Sequence, residues 1–214
     1  MRLLQFPFSP FAAKLRTCLA AKKLKCEVVN VPYLDRREVV AATGKVMIPV
    51  LIDGDTVVSD SARITAYLDE KYAPSLRAGP LGSLAVVFEQ WADEMLEETA
   101  FRLACPGIEA LIGKDDPGRE AEARAMYRLI KERRYGAGCI EAWRRDEARY
   151  SEQVVAMLEP IVDAVKQRPY ILGESLSLAD AAVASQLFMV EVAKPGWVAE
   201  QVPALVPWYA RVRA

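Results

Sequence analysis

The sequence predicts a small α/β domain followed by an all-α helical-bundle domain. Over the first third of the chain, short strand-like runs alternate with helical stripes. A stretch rich in Pro, Gly and Ser then interrupts the pattern, and beyond it the apolar positions keep helical spacing with no convincing strand. These observations set a first domain at residues 1–73, a linker at 74–83 and an all-α domain at 84–214.

Taken in order, Arg2 to Phe6 and Cys26 to Val31 read as strands, the second closed by Pro32. Between them Phe11, Leu15, Cys18 and Leu19 are spaced as one face of an amphipathic helix. Strand, helix and strand of this length make a βαβ unit, right-handed by the usual steric preference. A second helix is expected within Arg36 to Thr43. "IPVLIDGDTVV" reads as a hairpin with Asp53-Gly54 at its turn. "SDSARITAYLDEKY" reads as a helix with Ile64, Tyr67 and Leu68 inward, which gives the order β-α-β-α-β-β-α.

"APSLRAGPLGS" supplies the linker. After it, Leu84, Val87, Phe88, Trp91 and Met95 form one helical stripe, and "GKDDPG", 113 to 118, reads as a loop. Val154, Leu158, Ile161, Val162 and Val165 form another stripe, in a helix that Pro160 is expected to kink or split. The last clear helix opens in "SLSLADAAVASQLF". Alternating charges in "IKERRYG" and "WRRDEARY" are expected on a solvated helix face.

The bulk composition narrows the function. The chain has 214 residues, 52% of them apolar and 27% charged, an ordinary globular balance. With 28 Lys+Arg against 29 Asp+Glu, nothing in the charge suggests a nucleic acid or an anionic membrane as partner. The N-terminal apolar run is too short for a signal peptide, and no stretch approaches the roughly 20 apolar residues of a membrane span. Cys18, Cys26, Cys105 and Cys139 are too widely spaced for a disulfide framework or a zinc site, so a reduced, cytoplasmic setting is expected. The absence of histidine removes Ser-His-Asp and Cys-His nucleophiles, a His general base and His-ligated metals. No metal is expected.

Four short motifs carry what chemistry there is. Ser9-Pro10 suits the cap and first position of a helix. The same helix end, with unpaired N–H groups and a positive dipole, also stabilises an anion such as a thiolate, whose thiol ordinarily titrates near about 8.5. Ile48-Pro49 suits a strand boundary, or a cis peptide that turns the preceding backbone outward to pair with an extended peptide. Ser59-Asp60-Ser61 supplies more capping residues than one helix needs, and could hold a zwitterion with Asp60 on an ammonium and Ser61 on a carboxylate. Ser177-Leu178-Ala179-Asp180 is a capping box, read as structural.

In their order and spacing, the SPFAAKLR turn, the IPVL strand, the SDSARITAYLDEKY helix, the linker and the SLADAAV capping box resemble the cytosolic glutathione transferase family over nearly the whole chain. The resemblance implies a thioredoxin-like N-terminal domain that holds glutathione as co-substrate. It also implies a helical C-terminal domain that shapes a pocket for a hydrophobic small molecule, and a metal-free homodimer. Carried over by position, Ser9 becomes the hydroxyl that hydrogen-bonds the glutathione thiolate. Ile48, beside Pro49, pairs with the cysteinyl unit, Asp60 and Ser61 hold the γ-glutamyl end, and Lys45 reaches the glycyl carboxylate. Phe11 joins the glutathione site, and Phe8, Trp91 and Met95 wall the substrate pocket.

Departures from the family pattern bear on the chemistry. Met47 and Ile48 intervene between Gly44-Lys45-Val46 and Pro49, where relatives commonly run Gly-Lys-Val-Pro. Asp60 stands where many relatives have Glu. No tyrosine occurs before Tyr33, which excludes a tyrosine-type mechanism in the first turn, and SPFA lacks the cysteine of the disulfide-exchanging variants. The expected activity is conjugation of glutathione to a hydrophobic electrophile, in a detoxification role. The alternatives are a glutathione-dependent isomerase or dehalogenase, or a non-catalytic partner-binding protein like the stringent starvation proteins.

Overall fold

Four short strands build the first domain around a mixed sheet: β1 (Arg2–Gln5), β2 (Glu27–Asn30), β3 (Val50–Asp53) and β4 (Thr56–Ser59). The computed structural model describes residues 1–77, 79–114 and 116–213; Ala78 of the linker, Asp115 of the 113–118 loop and Ala214 lie outside them. The strand order is β2-β1-β3-β4, with β1 parallel to β2 and antiparallel to β3. Helices α1 (Pro10–Ala21), α2 (Arg37–Thr43) and α3 (Ser61–Lys71) complete the thioredoxin-like order read from the sequence.

The period of two along a strand decides what each face of the sheet buries. Leu3 and Leu51 point to one face, where Leu15, Cys18 and Leu19 of α1 and Ile64 and Leu68 of α3 cover them. Leu4 and Val50 point to the other face and meet Val39 of α2. Each such buried aliphatic side chain stabilises the fold by roughly 1.5–3 kcal/mol. Val50 pairs with Ser59 and Asp53 with Thr56, so the hairpin turn falls on Gly54-Asp55, one residue later than expected. Gly54 has φ +61, a left-handed conformation that side chains disfavour.

The rest of the chain is helical: α4 (Gly82–Trp91), a π-helical segment (Ala92–Leu96), α5 (Glu97–Glu109), α6 (Glu120–Tyr135), α7 (Cys139–Arg145), α8 (Glu147–Gln167), α9 (Leu178–Ala193), α10 (Trp197–Gln201) and α11 (Val206–Arg213). The first helical turn of α4 therefore takes in the last two residues of the expected linker. α9 is the axis of the bundle. Twelve of its side chains are buried, from Leu178 to Val190. α5 approaches it so closely that a Cβ on Gly107 would lie 2.6 Å from the Ala193 carbonyl oxygen.

α8 is not split at Pro160. Both Pro160 and Ala156, whose carbonyl loses its partner, are exposed, so water can take that carbonyl. The α4 stripe is only in part an inner face, since Phe88 and Trp91 pack against the core. Leu84, Val87 and Met95 are 45%, 55% and 60% exposed, whereas Ala85, Glu89 and Ala92 are buried. α4 turns inward with small residues because it packs directly against α9 and must leave room for an ion pair.

That ion pair joins the domains. The Lys14 ammonium of α1, fully buried, donates to Glu89 at 2.8 Å and to Asp93. Glu89 also accepts from the Thr65 hydroxyl and from Arg77 of the linker. Burial pulls the Lys14 pKa down, but the two carboxylates outweigh it and raise the pKa overall. Two cations face two anions, so the buried charge is balanced.

Candidate functional site

Ser9 sits where β1 hands over to α1. Its extended backbone and its Oγ, which accepts the Ala12 N–H at 3.3 Å, cap the helix, and Pro10 opens the first turn. A hydroxyl has one proton to give and two lone pairs. The cap uses a lone pair, and among the described residues the proton has no acceptor. Ser9 opens onto a cavity of about 290 Å³ that Phe8, Phe11 and Ile48 also line. The Ile48-Pro49 peptide is cis, and β3 begins only at Val50, so the Ile48 backbone stands outside the ladder.

Asp60 and Ser61 lie at the start of α3, outside that cavity. Asp60 holds φ +78, an uncommon conformation for a residue with a side chain, and its Oδ1 accepts the N–H groups of Ala62 and Arg63. Ser61 is buried, whereas Asp60 is exposed. Asp60 lies close enough to Asp93 to act on its charge. Burial pushes the Asp93 carboxyl up, Lys14 draws it down, and Glu89 and then Asp60 push it up again. The Asp93 Oδ1 is buried without a hydrogen-bond partner.

Other assignments move. Lys45 is exposed and does not line the cavity, while Arg36 does. The Arg36 guanidinium stacks over Phe6 and Tyr33 and donates to the Val46 carbonyl at 2.8 Å, with no carboxylate partner among the described residues. Trp91 and Met95 also lie away from the cavity: Met95 is exposed, and half-buried Trp91 packs edge-on against Phe88. The far wall comes instead from Phe101 of α5 and from Tyr127, Ile130, Lys131, Arg134 and Tyr135 of α6. Four of these belong to the "IKERRYG" run expected to face solvent.

Two models match the chain: "Glutathione S-transferase, N-terminal domain" over residues 3–76 and "Glutathione S-transferase, C-terminal domain" over residues 141–211, together more than half its length. The chain belongs to the glutathione S-transferase family. It is 26% identical to glutathione S-transferase 2 of Saccharomyces cerevisiae, over 97% of this chain and 83% of that one. It is 24% identical to glutathione S-transferase 3 of Zea mays, over 100% and 89%. A glutathione S-transferase of Ceriporiopsis subvermispora, solved in complex with glutathione, superposes with a TM-score of 0.79 at 19% identity, over 99% of this chain and 94% of that one.

In this glutathione S-transferase chain no helix among the described residues is long and apolar enough to cross a membrane. Nor do the described residues bring together three or more metal-binding side chains. The electrostatics of the cavity centre on Glu97 of α5, half-buried there, whose pKa burial lifts to about 7. The folded chain therefore keeps a proton that the unfolded chain releases, so this group's contribution to stability falls as pH rises from about 4.5 to 7 and is level above. Glu97→Gln is expected to raise the melting temperature at pH 8, by the equivalent of at most about 3 kcal/mol, and to leave it unchanged near pH 4. Equal shifts at both pH values would contradict the raised pKa.

Proposed function

We propose that the chain binds glutathione and conjugates it through its sulfur to the carbon of a hydrophobic electrophile, as a cytoplasmic homodimer with a detoxification role. The observation that carries this reading is the uncommitted Ser9 proton at a helix N-terminus, in the cavity that Ile48 also lines. The residues fit the tripeptide. Ser9 and the end of α1 stabilise the thiolate, and the Ile48 backbone pairs with the cysteinyl unit as an added strand would. Asp60 and Ser61 take the γ-glutamyl end. Arg36 replaces Lys45 as the partner of the glycyl carboxylate, because its guanidinium is in the cavity and lacks an acid. The similar Ceriporiopsis subvermispora structure was solved in complex with glutathione, which supports glutathione as the ligand of this fold.

The thiol proton leaves to solvent, and Ser9 donates to the sulfur anion that remains. In a substitution, sulfur's electron pair forms the S–C bond while the leaving group departs with its own pair. Binding both reactants in one cleft and holding the anion by preorganised donors are the sources of rate. The exposed stripe of Leu84, Val87 and Met95 supports the second copy, since it is an apolar row that a dimer would cover.

Thermal unfolding with glutathione tests the binding step. Saturation at 100 times the dissociation constant stabilises by about 2.7 kcal/mol, so the melting temperature is expected to rise by several degrees in millimolar glutathione. No rise, with S-methylglutathione equally inert, would favour the scaffold reading.

A further inference from the structure

The cavity wall opposite Ser9 is more cationic than a pocket for a purely hydrophobic molecule requires. Lys131 and Arg134 are one helical turn apart on α6 and both line the cavity. The Lys131 ammonium lies 4.7 Å from the centre of the Phe101 ring and 4.9 Å from that of Tyr127. The Arg134 guanidinium lies 5.0 Å from the Tyr135 centre. Among the described residues neither makes a salt bridge. Glu97, the acid on the cavity wall, feels both charges without pairing to either. A half-buried ammonium held only by ring faces pays desolvation that an anion would return.

Counting charges sets the ligand. Arg36 is engaged by the glycyl end of glutathione on the reading above, on which this inference rests. On the wall opposite Ser9, Lys131 and Arg134 then outnumber the one acid, Glu97, which suits an anion there. The surrounding rings of Phe8, Phe101 and Tyr135 suit an aromatic body. A lysine point charge beside a planar guanidinium suits a carboxylate.

We propose that the second substrate of this cleft is an aromatic carboxylate whose anionic group lies between Lys131 and Arg134, with its reacting carbon turned towards Ser9. The cations also offset the repulsion between that carboxylate and the attacking thiolate.

Binding and turnover are measured on the full chain with matched pairs that differ only in charge. 3,5-Dinitrobenzoate and its methyl ester serve for calorimetry, and 4-chloro-3,5-dinitrobenzoate and its methyl ester for conjugation. The acid is expected to bind at least about tenfold tighter than the ester. Lys131→Met should weaken the acid about tenfold and leave the ester within twofold, while Lys131→Arg restores the preference. If Lys131→Met melts far below the parent chain, Arg134→Met is used in its place, with the same expectation. Equal binding of acid and ester by the parent chain, or equal weakening of both in the variant, would overturn the proposal. Ester conjugation without acid preference sinks this inference and leaves the transferase reading standing. Acid binding that depends on Lys131, with glutathione inert in the melting experiment, keeps the carboxylate site but overturns its role as second substrate together with the transferase reading.

Discussion

Ser9→Ala is expected to cut glutathione conjugation about 100-fold in kcat/KM at neutral pH, the scale of losing one preorganised donor to a reacting anion. The Ser9 Oγ has two separable roles, and the substitution removes both. As a cap it accepts the Ala12 N–H at 3.3 Å, an interaction whose loss costs about 1 kcal/mol, or a few degrees in melting temperature. As a donor it meets the sulfur anion, and a hydrogen bond to a charged group contributes about 1.5–3 kcal/mol. Ser9→Thr keeps both roles and separates them from side-chain size, so it should retain most of the rate. Steady-state kinetics with 1-chloro-2,4-dinitrobenzene, alongside melting curves, reads both quantities. A Ser9→Ala variant that conjugates normally would reduce Ser9 to a helix cap.

Asp180→Ala is expected to destabilise the fold by about 4–5 kcal/mol and to lower the melting temperature by roughly 10–15 °C. This carboxylate is fully buried, and four donors converge on it. Oδ1 accepts the Ile171 N–H at 2.8 Å and the Trp208 indole N–H at 2.9 Å, and Oδ2 accepts the Ser177 N–H at 3.0 Å and its hydroxyl at 2.7 Å. It thus ties the start of α9 to the preceding loop and to α11. Alanine would strand these donors, at about 1–3 kcal/mol for each one left buried and unpaired. Native stabilities of about 5–15 kcal/mol leave little room for such a loss. Asp180→Asn preserves the shape and one acceptor but turns an amide towards Ser177, so it should fall between the two. Denaturant titrations give the ordering directly. A loss under about 1 kcal/mol for Asp180→Ala would mean that water satisfies the stranded groups.

Legibility in the sequence follows the range of the interaction. Ser9 and Asp60 cap their helices through backbone within a few residues of themselves, and Asp180 does the same for Ser177, although its contacts with Ile171 and Trp208 are not local. The strands of the first domain are likewise local, since period-two alternation names the two faces of a sheet without naming what covers them. The failures are long-range. The stripe on α4 has the right period for a buried face, yet Leu84, Val87 and Met95 are exposed, while Ala85 packs on α9 and Glu89 pairs with Lys14 of α1. Nothing near Glu89 in the chain announces a lysine 75 residues earlier. The α6 cavity wall was hidden for a related reason. A charged run signals solvent, but Lys131 reaches the cavity through the aromatic faces of Phe101 and Tyr127, one of them on another helix. Arg36 lines the cavity, whereas Lys45 is exposed and does not, and no local pattern distinguishes the two.

The most direct measurement is the ultraviolet thiolate absorbance of glutathione bound to the parent chain, titrated with pH at saturating protein. Donation from Ser9 and the end of α1 should bring the midpoint at least one unit below the roughly 8.5 of a free thiol. A bound thiol that titrates where the free one does would contradict sulfur activation at Ser9.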